Sequence, residues 1–364
     1  MLTKSRMCRD WAWTSCFAVV LFAVLFQPLL AAADQTDRWQ ALTEAGVAAR
    51  ERAQYEEAER LLQSALHEAQ QVAASDVRVA ATLNHLGLVY HARKQYERAK
   101  PYYEQALAQW EQSLGSDHAD VASALNNLAE IYQEEGAFEL AEAYYLRSLA
   151  IEERVLGRGH AELAVGYNNL AGLYRRQGRL AQAEATFYLA LNVLEGAASP
   201  TSIDSALVLN NLAALYKEKG LYVYAEPLYR QALSIRRARL GDRHQAVAIC
   251  LNNLANLYHA QGLSELADQH YREALAISEV VVGHEGALTG AILGNWAWLL
   301  HERGLVEEAK LRYERALVVQ QQTLGRDHPM LAVILDRYAR LLKDSGHLTE
   351  ARLVASRAAA IRAQ

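Results

Sequence analysis

The string Leu-Asn-Asn-Leu-Ala begins at Leu125, Leu209 and Leu251, and Tyr167 opens the same string with Tyr in place of Leu. Weaker copies start at Leu83 (LNHLG), Leu293 (LGNWA) and Leu335 (LDRYA), and successive starts differ by 42 residues in every case. A degenerate copy at the front carries Tyr55, Ala58, Ala65 and Leu66, 41 residues before Tyr96, Ala99, Ala106 and Leu107. A fixed period of this length marks an array of one supersecondary unit. No unit can bury its apolar face alone, so the units stack and the chain grows in one dimension. The spacing predicts about eight repeats, starting near residues 41, 83, 125, 167, 209, 251, 293 and 335.

Each repeat reads as two helices. Leu125, Leu128, Ala129 and Tyr132 recur at i, i+3, i+4 and i+7, which is one apolar face of an α-helix. Gly136 then breaks the helix, as Gly178, Gly220, Gly262, Gly304 and Gly346 do in their copies. A second helix carries Ala141, Tyr145, Leu149 and Ile151 and ends at Leu156-Gly157, with Leu114-Gly115, Leu240-Gly241 and Leu324-Gly325 as its echoes. Pro101 and Pro227 are expected near the first turn of their second helices, where a missing N–H costs least. The residues in abundance (Ala, Leu, Glu, Arg, Gln) are good helix formers, so the chain is expected to be all-α.

The succession of Leu, Gly or Ala, Tyr, then Ala, Tyr or Phe, then Ala resembles the tetratricopeptide repeat. The 42-residue length, the Asn-Asn pair and the Leu-Gly-x-x-His linker (His118, His160, His244, His328) resemble the kinesin light chain subtype. The resemblance runs from about residue 40 to the C-terminus. It implies a right-handed superhelical solenoid of stacked helix-turn-helix repeats, with the first helix of each pair on the concave wall. It also implies a protein or peptide as partner. The fold hosts many partners, so the resemblance names none of them.

With 125, 128, 129 and 132 packed inward, positions 126, 127, 130, 133 and 134 of the same helix project away from the core. They carry a ladder of amides. One rail is Asn84, Asn126, Asn168, Asn210 and Asn252; the other is Asn127, Asn169, Asn211, Asn253 and Asn295. A carboxamide offers two donors and an acceptor without charge, so it can pair with the backbone of a guest of any sequence. The resemblance implies that the second Asn position clamps ligand backbone. The other reading is that these amides bond to the neighbouring helix and fix the stacking register. Arg175, Arg176 and Lys217 make a locally basic stretch that could pair with acidic side chains of a guest, or simply form a solvated face. Trp296 falls at a core position. Trp298, two residues on, falls at a groove position, where it either anchors a guest or packs on the next repeat.

Lys4, Arg6 and Arg9 precede a mostly apolar stretch from Trp11 to Ala33, which closes on Ala31, Ala32 and Ala33 before Asp34. Basic, apolar, then small is the order of a signal peptide cut after Ala33; an uncleaved membrane anchor over the same residues is the alternative. Either way residues 34–364 are expected to be exported, to a periplasm or the exterior. The net charge of −5 gives no basic face for nucleic acid. Cys250 is left without a companion at ligand or disulfide spacing and is expected to be a buried thiol. The linker His residues stand a repeat apart, too far to converge on one metal ion, and are expected to cap the following helices. The third linker, Gly196 to Ser202, lacks the His and is expected to be the softest joint. No phosphate-binding loop, nucleophile elbow or metalloprotease helix occurs, so neither catalysis nor a cofactor is expected. The last helix, with Leu353, Val354 and Ile361, is expected to self-associate or dock a partner. The function expected is a scaffold holding a protein segment in the concave groove. The alternative is a structural part of an envelope assembly, joined through convex or terminal surfaces.

Overall fold

The computed structural model describes residues 38–72, 77–197 and 200–363. Sixteen helices occur among them, and no strand. The first, α1, spans 38–51. In chain order there follow α2 (Tyr55–Val72), α3 (Val77–Ala92), α4 (Tyr96–Leu114), α5 (Ala119–Glu134) and α6 (Phe138–Leu156). Then come α7 (Leu163–Arg176), α8 (Leu180–Gly196), α9 (Ile203–Glu218), α10 (Tyr222–Leu240) and α11 (Gln245–Ala260). The series ends with α12 (Ser264–Val281), α13 (Ala287–Glu302), α14 (Val306–Leu324), α15 (Pro329–Asp344) and α16 (Leu348–Arg362). Odd and even helices alternate as hairpin partners, which is the all-α array of paired helices that the 42-residue period predicts. The targeting segment, residues 1–33, lies outside the described residues.

The hairpin turn is set by one backbone position. Gly136 takes φ +78°, while Ala137 N–H reaches back to Tyr132 C=O at 2.8 Å and Gly136 N–H to Gln133 C=O at 3.2 Å. That is a left-handed helix stop, which glycine enters without a Cβ penalty. Two earlier copies manage it without glycine: Ala53 and Lys94 both stand at φ 57°.

Three of the four linker histidines cap the odd helices as expected; His160 is the exception, accepting from Glu162 N–H at 3.4 Å while α7 starts from Glu162 without a side-chain cap. The Nδ1 atoms of His118, His244 and His328 accept the N–H groups of Asp120, Ala246 and Met330 at 3.2, 3.1 and 3.2 Å. In α9, where the linker has no His, Ser202 Oγ accepts from Ser205 N–H at 3.0 Å instead. Pro101 and Pro227 are a correction: each is the sixth residue of its helix, in the second turn, on an exposed side.

Even helices carry the filling of the core. Ala99, Ala141, Ala183, Ala225, Ala267 and Ala309 are fully buried, and four residues on lie Tyr103, Tyr145, Phe187, Tyr229, Tyr271 and Tyr313. The small residue lets the facing helix approach, and the ring four positions later fills the space beside it. Tyrosines at the ends of odd helices tie back to the preceding even helix. Tyr90 donates to Glu59 at 2.6 Å, Tyr216 to Glu184 at 2.7 Å and Tyr258 to Glu226 at 3.1 Å.

The chain divides into two compact units, Met1–Arg158 and Gly159–Gln364. The division falls one linker earlier than the Gly196–Ser202 segment, whose residues 198 and 199 are outside the described set. In the second unit α7 touches α9, α9 touches α11, α11 touches α13 and α13 touches α15, while among the described residues the even helices make no comparable contact. Like helices approach across repeats only on the inner radius of a curved stack, so the odd helices form the concave wall of this unit.

The last helix corrects part of the sequence reading. Leu353 is 72% exposed, but Ile361 is buried and Val354 half-buried.

Candidate functional site: the inner wall of the second unit

Both rails of the amide ladder lie on the odd helices, and they bond to each other. Asn211 Nδ2 donates to Asn168 Oδ1 at 2.8 Å, Asn253 to Asn210 at 2.9 Å and Asn295 to Asn252 at 3.3 Å. In the first unit Asn127 donates to Asn84 at 2.9 Å. Four amides of the second rail, those of Asn127, Asn211, Asn253 and Asn295, therefore reach the first-rail carbonyl of the preceding repeat. Asn168, Asn210 and Asn252 are buried, and Asn126 engages Glu130 at 3.4 Å. Asn169 accepts from Asn168 at 3.4 Å. The ladder thus fixes the stacking register, the alternative reading of these residues. Of the second rail, Asn295 in addition faces an open recess.

That recess, about 370 Å³, is lined from four odd helices: Lys217 (α9), Asn256, His259 and Ala260 (α11), Asn295, Trp298 and Glu302 (α13), and Arg337 (α15). Trp298 is half-buried. Its ring sits 5.5 Å from the Arg337 guanidinium, 5.3 Å from that of Arg340, and edge-on to His301 at 5.4 Å. It therefore packs on the next repeat and lines the recess at once. Asn256 Oδ1 accepts from the Tyr271 hydroxyl at 2.7 Å, which fixes the amide on its carbonyl side. His259 Nε2 meets Glu302 at 2.8 Å and His301 Nε2 meets Asp344 at 3.1 Å, so these two carboxylates are already engaged.

The basic residues divide. Burial, with Arg175 and Arg337 close by, holds the Lys217 ammonium below the usual lysine range. Arg175 thus acts on Lys217, whereas Arg176, exposed on the same helix, does not line the recess. Arg337 donates to Asn295 Oδ1 at 3.3 Å. It was not singled out from sequence, although a signal was there: it occupies the second-Asn position of the last repeat. His259, in phase with Lys217, and Asn256, in phase with Trp298, carried similar signals.

The first unit presents a different wall. A second recess of about 360 Å³ is lined by Arg50, Leu88, His91 and Ala92. Burial pushes the Glu130 carboxyl up and the His91 imidazole down, and the two approach to 3.8 Å. Trp296 is buried as expected, with its indole N–H donating to Asp268 at 2.8 Å. Cys250 is buried too. Its thiol is pushed up by burial, and the buried Arg236 lies 3.2 Å from Sγ. Among the described residues no group of three or more His, Cys, Asp or Glu is placed to hold a metal ion, and no helix is long and apolar enough to cross a membrane.

Stacked helical hairpins with a groove on the inner wall define a repeat-type interaction protein. The tetratricopeptide repeat model matches residues 78–153, 120–196, 204–279 and 288–364, and the chain belongs to that family. No curated protein sequence matches it. Among solved structures it is similar to BtubC (BKLC) from P. vanneervenii, 25% identical over 65% of this chain and 94% of that one, with a TM-score of 0.50. A tetratricopeptide repeat protein from Parabacteroides merdae ATCC 43184 is 20% identical over 84% and 99%, with a TM-score of 0.54. A Podosopora anserina putative kinesin light chain with nearly identical repeats is 22% identical over 55% and 94%, with a TM-score of 0.45. Tetratricopeptide repeats generally mediate protein–protein interaction, and the fold is typically a non-enzymatic scaffold.

Proposed function

We propose that the chain is a scaffold whose second unit holds an extended segment of another protein along the inner wall of α9, α11, α13 and α15. The observation that carries this reading is the recess beside Trp298, where an indole face, the free side of the Asn256 amide and two cations converge on one open space. A half-buried aromatic ringed by polar groups is the composition of a binding anchor. The amide ladder positions the wall and leaves recognition to the residues around it.

Replacing Ala260 with Trp tests this, because Ala260 is exposed, lines the recess and has no packing role to lose. Peptides selected on the full chain from a random display library are expected to lose binding by about tenfold or more in Ala260→Trp. Circular dichroism should stay unchanged. A library that yields no binder, or binders indifferent to Ala260→Trp, counts against the reading.

A second reading, a structural role in an envelope assembly through the chain's end, draws on α15 and α16. A recess of about 660 Å³ there is lined by Ala339, Leu348, Ala351 and Ala355 among others, next to the exposed Leu353. Concentration-dependent sedimentation lost in Leu353→Glu supports self-association, and a monomer at every concentration removes it. We place the second unit outside the cytoplasm on the basic, apolar, small order of residues 4–33. A phosphatase fused after Gln364 and active only on the exported side is the expected result.

A further inference from the structure

Six even helices carry an aromatic ring four residues after a buried alanine: Tyr103, Tyr145, Phe187, Tyr229, Tyr271 and Tyr313, each 2% exposed or less. In α4 the ring lies against Gly87 of α3, so close that a Cβ on that glycine would meet it. Buried alanines hold the same place in later copies: Ala129, Ala171, Ala213, Ala255 and Ala297. The ring is thus seated on a small residue of the odd helix in its own hairpin. The α15–α16 hairpin keeps the small residue, Ala339, and the earlier alanine, Ala351, but Ala355 stands where the ring should be. A recess of about 660 Å³ lies there, lined by Ala339, Ala351 and Ala355, with Leu348 beside them. Tyr338 does not fill it. Its ring centroid stands 5.6 Å from that of Tyr313 and its hydroxyl donates to Glu314 at 2.9 Å, so it faces the preceding repeat.

A hollow over alanines forfeits the contacts that a ring would make in an otherwise close-packed array. In the inner hairpins of this unit the even helix also receives the next odd helix: α9 packs on α8, α11 on α10 and α13 on α12. Among the described residues no helix packs on α16 in that way. Its face is left open and apolar, with Ala355 exposed, Leu348 54% exposed and Leu353 72% exposed. The charges around the recess are mainly positive. Arg340, Lys343 and Arg352 border it, and the carboxylate among its lining residues, Asp344, already meets His301 at 3.1 Å. The occupant that fits is therefore a helix, as in the inner hairpins, which brings the missing ring and has acidic residues near it.

We propose that the α15–α16 hairpin is a docking seat for an acidic helix of a second protein, which inserts an aromatic side chain between Ala339 and Ala355. The helix takes the place that an odd helix takes on the inner hairpins, and its ring takes the place of the absent one. This rests on the second reading above, attachment through the chain's end, and adds the chemistry of the partner. It is independent of the inner wall.

The test pairs a stability measurement with a binding one. Ala355→Phe restores the ring from within and is expected to raise the urea midpoint, while Ala355→Ser leaves the hollow open and should not. A midpoint lowered by Ala355→Phe would show that the hollow seats no ring, and overturns the proposal. Binding is read with a library of helical hairpins, one exposed helix face randomised, panned on the full chain carrying Ala260→Trp so that the inner recess is closed. Binders with Phe, Tyr or Trp near Asp or Glu are expected, weakened about tenfold or more by Ala355→Phe and unchanged by Ala355→Ser. An empty selection, binders without an aromatic residue, or binders indifferent to Ala355→Phe overturn it as well. After such a failure the attachment reading still stands if concentration-dependent sedimentation is lost in Leu353→Glu; if the chain is also monomeric at every concentration, that reading falls with it. Self-association abolished by Ala355→Phe would put a second copy in the seat and overturn the assignment to a second protein.

Discussion

Asn253 stands half-buried on α11 with an amide hydrogen on Asn210 Oδ1 at 2.9 Å, and Asn210 itself is 7% exposed. Removing the donor leaves a buried acceptor short of a partner, which costs about 1–3 kcal/mol. Asn253→Ala is therefore expected to lower the urea midpoint, and the coupling to Asn210→Ala in a double-mutant cycle should be nonzero. A midpoint unchanged in both singles would leave the ladder without a structural role. Lys217 makes a prediction of opposite sense. Its folded-state pKa lies below the unfolded value of 10.5, so between the two the unfolded chain holds the more protons and stability rises with pH. Lys217→Met is expected to be the more stable protein near neutral pH, with the difference narrowing as pH rises toward 10.5. A difference constant with pH would contradict the desolvation of Lys217. The sequence could place Asn126 and Asn127 on a polar stripe but could not say which way each amide turned. Neighbouring helical positions differ by about 100° around the axis, so one rail faces the adjacent helix while the other straddles wall and groove. The Arg337 position was legible in phase. Its significance was not, because the curvature that brings α15 opposite α9 is a property of the stack, written in no single repeat.

At the scale of one helix, the turn and cap positions decide stability. His244 caps α11 through Nδ1, so His244→Ala should cost about 1 kcal/mol, measured as a shift of the unfolding midpoint. His244→Asn should retain most of it. At the hairpin stop of α3, Lys94 adopts φ 57°, where later copies use glycine. A left-handed conformation costs an L-residue roughly 1–2 kcal/mol, and Lys94→Gly is expected to recover about 1 kcal/mol of that. A destabilised Lys94→Gly would show that the lysine side chain makes a compensating contact. Helix type, pairing and stops were readable from Leu125, Gly136 and Ala141 and their copies because each has a local cause. The depth of Pro101 was misplaced by a turn, since a helix start that lacks a side-chain cap leaves little sequence mark: Gln95 begins α4 without one. Ile361 was expected on the docking face of α16, yet it is buried.

At the scale of the molecule, two compact units are built from one repeat plan, and the charged residues on their odd helices differ. The first carries Glu130, raised by burial, beside His91. The second carries Lys217 and Arg337 without carboxylate partners among the described residues. The fold thus supplies a common wall, and the positions left free by core packing and by the amide ladder set what each wall can hold. Hydroxyl-radical footprinting of the full chain with a selected peptide tests this most directly, because it reads side-chain exposure and indoles react readily. The peptide is expected to protect Trp298 while leaving Leu353 on α16 as reactive as before. Protection of Leu353 with Trp298 unchanged would contradict it and move the binding surface to the end of the array.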